Sequence, residues 1–375
     1  MTIQTHPQQP VAANMEGGGS SAPDLRKRYA KIYARRFLVF GAACILLILC
    51  IVASLAMGND NLGFAEVAAI LLKPVLPDGW FVDVPTLQEK IVWQLRLPRV
   101  VMAIAAGAGL AVTGVMMQGI TRNPLVSPFT IGLSPAAAFG ASVSILFGAH
   151  HIAVYGKYLT VVSAFVAALV CAAIVLAIAA LRGVGATTMI LAGIGLTYLF
   201  SAFTATIQYV ATQEELAAIV HWTFGSLNAA SWGEVSVTSV LLLVSIPVFV
   251  KFSWGLNALS AGEETALSLG FNVRVMRFVT AFLAVLVTAG VISFTGVIGF
   301  VGLVAPHISR MLIGNDHRVL IPFSLVVGAL LLLVADTIGR SMFSPAVIPV
   351  GIVVAYVGVP LFVHLILSQR REMSQ

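Results

Sequence analysis

The sequence predicts an all-α polytopic membrane protein of about ten transmembrane helices, and three observations predict it. Of the 375 residues, 59% are hydrophobic and only 10% are charged, where a soluble domain carries about 25% charged residues. The apolar runs are about twenty residues long, the length of a helical span. They lack the alternating polarity of barrel strands, and a bilayer accepts only helices or closed barrels because every backbone polar group must be satisfied internally.

Residues 1–24 are rich in Gln, Pro, Gly and Ser, which reads as a disordered tail. Arg26, Lys27, Arg28, Lys31, Arg35 and Arg36 follow, so 1–36 is expected to be a basic cytoplasmic tail. The run Phe37–Met57 then reads as an uncleaved first helix. Ser54-Leu55-Ala56 resembles a signal-peptidase site, but the run is long for a signal segment. Further helices are expected near 98–120, 129–149, 158–181, 188–209, 235–252, 275–294, 297–313, 319–340 and 348–368, with a tail at 369–375. The permease domain would thus be 37–368. Arg277 and Arg310 bound a charge-free window too short for two full spans, which need about forty residues. One full helix and one short or tilted helix are expected there, turning near Thr295–Gly299. Small residues such as Gly107, Gly109, Gly114 and Gly328 let helix backbones approach closely in lipid.

With ten helices both termini share a side. Placing them in the cytoplasm puts most of the basic residues inside and leaves Lys73, Lys90, Arg96, Arg99, Lys157 and Arg340 outside, as the positive-inside rule requires. The net charge of +6 is accounted for by topology and anionic headgroups, so no nucleic-acid partner is implied.

Motifs for chemistry are missing. There is no G-x-x-x-x-G-K-[ST], HExxH or GxSxG, no CxxC, and no cluster of His, Asp and Glu within a span. Cys44, Cys50 and Cys171 lie in apolar runs and read as packing residues. Among ionisable groups in spans only Asp336, His307 and His364 stand out, which leaves little for a proton relay. No catalytic residue, metal site or cofactor is expected, and the energy for transport should come from a partner.

Two stretches remain. In Trp254–Val273, Ser260 is placed to cap a short helix with Glu263 at capping-box spacing and Glu264 beside it, and Gly270 is placed to end it. That helix either meets a partner or is a solvated loop helix. At the outer ends, Arg96 and Arg99 flank Leu97-Pro98, and Arg340 lies one turn after Asp336, with which it is spaced to pair. This cationic set either snorkels to headgroups or receives carboxylates of a soluble partner.

The segments Trp93–Arg99 (WQLRLPR), Gly107–Leu125, Leu259–Gly270 (LSAGEETALSLG), Gly296–Pro322, Leu331–Arg340 (LLLVADTIGR) and Ile348–Pro360, in that order, resemble the FecCD-type permeases of iron-chelate and vitamin B12 ABC importers. The resemblance spans about Val92 to Leu367. It implies a type II importer bundle of ten helices and a second permease subunit, identical or related. It also implies two cytoplasmic ABC ATPase subunits, a substrate-binding protein outside, and residence in a bacterial or archaeal inner membrane. It makes Ala258–Gly270 the ATPase coupling helix, with Ala258, Leu259, Ser260, Gly262, Glu263, Glu264, Leu269 and Gly270 as its residues, and it assigns Arg96, Arg99 and Arg340 to docking the binding protein. Ferric siderophore is the first cargo expected, with haem and vitamin B12 next. Position alone nominates Met116, Met117, Gln118, Ser142 and Ser144 for the translocation path. Two positions depart from the family pattern: Ser127 and Val347 stand where acidic residues are usual. The rival of another class, an ion-coupled secondary transporter, would need a buried acid, and only Asp336 offers one.

Overall fold

A computed structural model describes residues 22–57, 62–73, 85–148, 155–182, 186–342 and 346–372. Among these the chain is all helical. The helices are α1 (Ala22–Ala56), α2 (Phe64–Leu72), α3 (Thr86–Ile91), α4 (Leu97–Thr121), α5 (Leu133–Leu146), α6 (Tyr155–Arg182) and α7 (Ala186–Val210). They continue with α8 (Gln213–Thr223), α9 (Trp232–Ala261), α10 (Glu263–Ser268), α11 (Val273–Thr295), α12 (Val301–Ile313), α13 (His317–Ser341) and α14 (Val350–Glu372).

Seven helices are long and apolar enough to cross a membrane, and α5, α12 and the described part of α14 are shorter apolar helices. These ten occupy the ten expected places. The window between Arg277 and Arg310 resolves into the full-length α11 and the 13-residue α12, with the turn at Gly296–Phe300 in between.

The described residues add to the expectations in three places. Residues 22–36 are not an irregular tail but the first turns of α1, which is 35 residues long. At about 1.5 Å per residue it far exceeds a hydrocarbon core of about 30 Å. Ala, Arg, Lys and Leu are good helix formers and extend a helix already nucleated by the span. Residues 1–21 lie outside the described residues. The C-terminal tail is helical to Glu372. Finally, α2, α3 and α8 were not expected. The signal for α8 was present: Thr212 accepts from the Glu215 N–H, and the Glu215 carboxylate accepts from the Thr212 N–H, the reciprocal cap of Thr-x-x-Glu.

The core is organised on α4. Its most apolar window is 89% buried, against 11% for α1, because α9, α11, α12 and α13 surround it. Close approach depends on paired glycines. A Cβ on Gly114 would lie 1.8 Å from the Gly302 carbonyl oxygen of α12, and one on Gly107 would lie 2.3 Å from that of Gly328 in α13. α5, α6 and α7 form a second packet beside this core, and α1 and α14 flank α13.

Two polar clusters at the ends of the bundle

The candidate site residues fall into two clusters, one at each end of α13. At the C-terminal end, the peptide before α4 winds through a π-helical turn at Val92–Arg96. Pro98 lacks an N–H, and Leu97 donates instead to the Val92 carbonyl, an i→i−5 bond of the π type. This extra residue aims Arg96 inward. Arg96 is 8% exposed, and its Nη1 donates to the carbonyls of Leu55 at 2.7 Å and Ala56 at 3.2 Å. Those carbonyls end α1 and have no partner within their own helix.

Arg99, one turn on, reaches Asp336 of α13 in a two-point contact: Nη2 to Oδ1 at 2.8 Å and Nε to Oδ2 at 2.9 Å. Its Nη1 also donates to Asn228 Oδ1. Arg340 donates to the Ser54 carbonyl, the Ser54 hydroxyl and the Met57 carbonyl, and its Nε stands 3.4 Å from Asp336. The expected Arg340–Asp336 pair therefore exists, but Arg99 holds the carboxylate more closely. Asp336 is 1% exposed. Three guanidinium groups around one carboxylate leave an excess of positive charge, and each is largely covered. Arg99 is the most open, with 16% of its side chain exposed. Beside the cluster, Lys157 pairs with Glu234, and the Trp232 indole donates to the Trp93 carbonyl at 2.9 Å, pinning α9 to the approach to α4.

At the N-terminal end of α13, the short helix starts later than expected. α9 runs through Ala258, Leu259 and Ser260 to Ala261. The Ser260 hydroxyl donates back to the Asn257 carbonyl at 2.6 Å and caps nothing. The break comes at Gly262, whose φ of 139° suits glycine, and α10 starts at Glu263 with no side-chain cap. Helix-forming residues either side let α9 continue until a glycine permits the turn. Gly270 does end the short helix as expected. With φ 83° it donates to Leu267, and Phe271 donates to Ala266, both bonds of a Schellman ending.

Ala266 is buried under α10 while Leu267, Leu269 and Glu264 are exposed. Two links tie this region to the bundle. Arg277 of α11 holds both oxygens of Glu263, at 3.2 and 2.9 Å, and also donates to the Ile120 carbonyl in the last turn of α4. Asn257 donates to Asp316 at 2.8 Å and accepts from the His317 N–H at 2.9 Å, joining α9 to the start of α13. Asp316 also accepts from Arg318, whose guanidinium stacks on exposed Trp254 at 4.2 Å. The Arg318 side chain, with help from the Asn257 amide and the Arg318 backbone N–H, outweighs the opposing effect of burial and holds the Asp316 carboxyl well below the usual carboxylate range.

The five path nominees are all buried within the single chain, each at 3% exposure or less. Met116 and Met117 belong to the main core, and the hydroxyl of Ser142 donates to its own helix at Ala138. Gln118 Nε2 reaches the Gly302 carbonyl at 3.5 Å, and Ser144 meets Thr160 at 3.2 Å. A path along these residues requires the helices to part. Asn228, Asn257 and Arg277 escaped the sequence reading, because their partners lie 129, 59 and 157 residues away and no local spacing announces such pairs. Ser127 is buried, and its backbone closes the turn by donating its N–H to the Thr130 hydroxyl and accepting from it at its carbonyl, and Val347 is 40% exposed.

A multi-pass helical bundle with a detached short helix at one end, and with no strand among the described residues, is the architecture of a membrane permease. The model of the FecCD transport family matches residues 46–368, and the chain belongs to that family of ABC transporter permeases. It is similar to MJ0087 of Methanocaldococcus jannaschii, named as an ABC transporter permease, at 40% identity over 93% of this chain and all of the relative. It is 35% identical to the molybdate import permease MolB of Haemophilus influenzae, over 89% of this chain and 96% of MolB. It is also 35% identical to the hemin transport permease HmuU of Yersinia pestis, over 90% and 97%. Among solved structures it resembles a metal-chelate type ABC transporter in an inward-facing conformation, with a TM-score of 0.76 and 34% identity, covering 88% of this chain and 99% of that one.

Proposed function

We propose that this chain is the permease subunit of an ATP-driven importer that passes an iron chelate, a ferric siderophore in the first instance, from an extracytoplasmic binding protein to the cytoplasm. The functional unit pairs it with a second permease subunit, identical or related, and two ABC ATPase subunits, so hydrolysis belongs to the partners. It resides in a bacterial or archaeal cytoplasmic membrane with both termini inside. The observation that supports this most directly is the construction of α10. It is a helix that buries one side chain and exposes Leu267, with Leu269 exposed just after it; Arg277 ties its Glu263 to α4, and Asn257 of the preceding α9 ties that helix to α13. An ATPase groove that moves α10 would thereby pull on the inner ends of both central helices.

At the opposite end, Arg99 is the guanidinium that a carboxylate of the binding protein meets first. Arg96 and Arg340 stand behind it and supply charge while fixing α1. Iron chelates are favoured because the hemin relative carries iron in an organic chelate, and the MolB likeness makes an oxyanion cargo the competing result.

The test is reconstitution with the neighbouring ATPase and binding protein in proteoliposomes. Uptake should require ATP and the binding protein, and mass spectrometry of the ligand carried by the purified binding protein should return an iron siderophore. Recovery of molybdate would replace the cargo, and uphill uptake by the permease alone would overturn the importer reading. Reversing Arg96 and Arg99 to Glu should abolish uptake. Because Arg99 also serves the fold, binding-protein affinity is to be compared between Arg99→Lys and Arg99→Gln, and equal affinity in the two would remove the docking role.

A further inference from the structure

A cavity of about 570 Å³ opens between the end of α6, the short α10 and the start of α11, lined by Leu176, Ala179, Ala180, Val275, Phe278 and Ala281 with Glu263, Arg274 and Arg277. This size is within the range of small-molecule sites, about 300–1,000 Å³. Its charges are unequal. Arg277 is occupied by Glu263 and by the Ile120 carbonyl. Arg274 is exposed, and among the described residues no carboxylate or carbonyl pairs with it. The cavity therefore presents one uncommitted guanidinium and no uncommitted acid.

Its position is equally specific. The spans of α6 and α11 end at Leu181 and begin at Val273, so Arg274 stands at the boundary between water and hydrocarbon. Below it on α11, Val275, Phe278 and Phe282 are 49, 59 and 46% exposed. A cation at the rim with apolar walls descending into the bilayer fits an amphiphile with an anionic head. Basic pockets between transmembrane helices on the cytoplasmic side bind anionic headgroups for this reason. A free phosphate would gain nothing from the walls.

We propose that this cavity binds an anionic phospholipid, its phosphate on Arg274 and its acyl chains along Phe278 and the end of α6. The placement in the inner leaflet rests on the proposed orientation. Because Glu263 and Arg277 share the cavity, the lipid would sit against the link that positions α10.

The test is thermal unfolding of the full-length chain in nanodiscs of phosphatidylcholine, with and without phosphatidylglycerol. The wild type should gain a stabilising shift from phosphatidylglycerol. Arg274→Gln should lose most of it, Arg274→Lys should keep most of it, and Ala180→Trp, which fills the cavity and leaves the charge, should lose it as well. Glycerol phosphate in solution should produce no shift. An equal shift in Arg274→Gln and Ala180→Trp overturns the proposal, and so does a shift produced by glycerol phosphate, which would make the site one for a soluble anion. Uptake is not the readout. A lipid shift that persists while α10 proves not to contact an ATPase would therefore sink the coupling assignment and leave the lipid site standing.

Discussion

The two ends of α13, outer and inner in the proposed orientation, carry the same residue type in opposite settings. Asp336 and Asp316 stand about 20 residues apart, roughly 30 Å at helical rise, or one hydrocarbon thickness. The outer aspartate is 1% exposed and neutralises guanidinium groups from two helices. The inner one caps its helix beside an exposed tryptophan and shares its partners with the joint that leads into α10. A buried carboxylate amid several guanidiniums has no cheap alternative arrangement, so the outer cluster locks α1, α4 and α13 together. A half-solvated network can exchange partners with water at little cost, which suits an end that must move. On the proposed function, polarity in this permease gives rigidity where a binding protein would press and adaptability where an ATPase would pull.

The comparison breaks most visibly at Asp336. Asp336→Ala leaves Arg99 and Arg340 without their carboxylate, and stranding a buried charge costs about 3–5 kcal/mol. Membrane yield and melting temperature in detergent should both fall, and an unchanged melting curve would show that the outer cluster is no lock. Next comes the spacer between the clusters. Gly114→Ala puts a methyl into the Gly302 carbonyl, and overpacking of this kind costs about 1–3 kcal/mol. The same change at Gly195, where nothing lies within 4 Å of the added carbon, should leave the melting temperature within error.

The inner cluster should respond differently. Asn257→Ala removes a partner from Asp316 and from the His317 N–H, about 1–3 kcal/mol for stranded polar groups and towards the low end where water can enter. Its effect on uptake per ATP hydrolysed in the reconstituted complex should exceed its effect on melting. Loss of stability with unchanged coupling would reverse the roles assigned to the two ends.

The smallest effect is the acid dependence of Asp316. Its folded pKa is depressed, so its contribution is present above the unfolded value of about 3.9 and is lost as pH falls through the folded value. Wild type should lose melting temperature on acidification into that range, and Asp316→Asn should lose less over the same interval.

Much of this was legible in the amino-acid order. The apolar runs located ten helices, because span length is set by the bilayer and composition by the absence of water. The charge-free window between Arg277 and Arg310 announced a full helix followed by a short one. Gly270 announced the end of α10, since a left-handed residue there is a local requirement. The start of α10 was misread because Ser260 and Gly262 offered two plausible boundaries, and only the continuation of α9 decided between them.

The amino-acid order by itself fixed what depends on neighbours along the chain: the places of the spans, the break between α11 and α12, and the glycine that ends α10. Which polar groups meet was settled by the packing of the helices. Arg99 takes Asp336, Arg96 and Arg340 take the last carbonyls of α1, and Arg277 bridges α10 to α4. Each of these pairs is closed by the packing of helices, and the buried ones at Asp336 and Ser54 have no water to turn to instead.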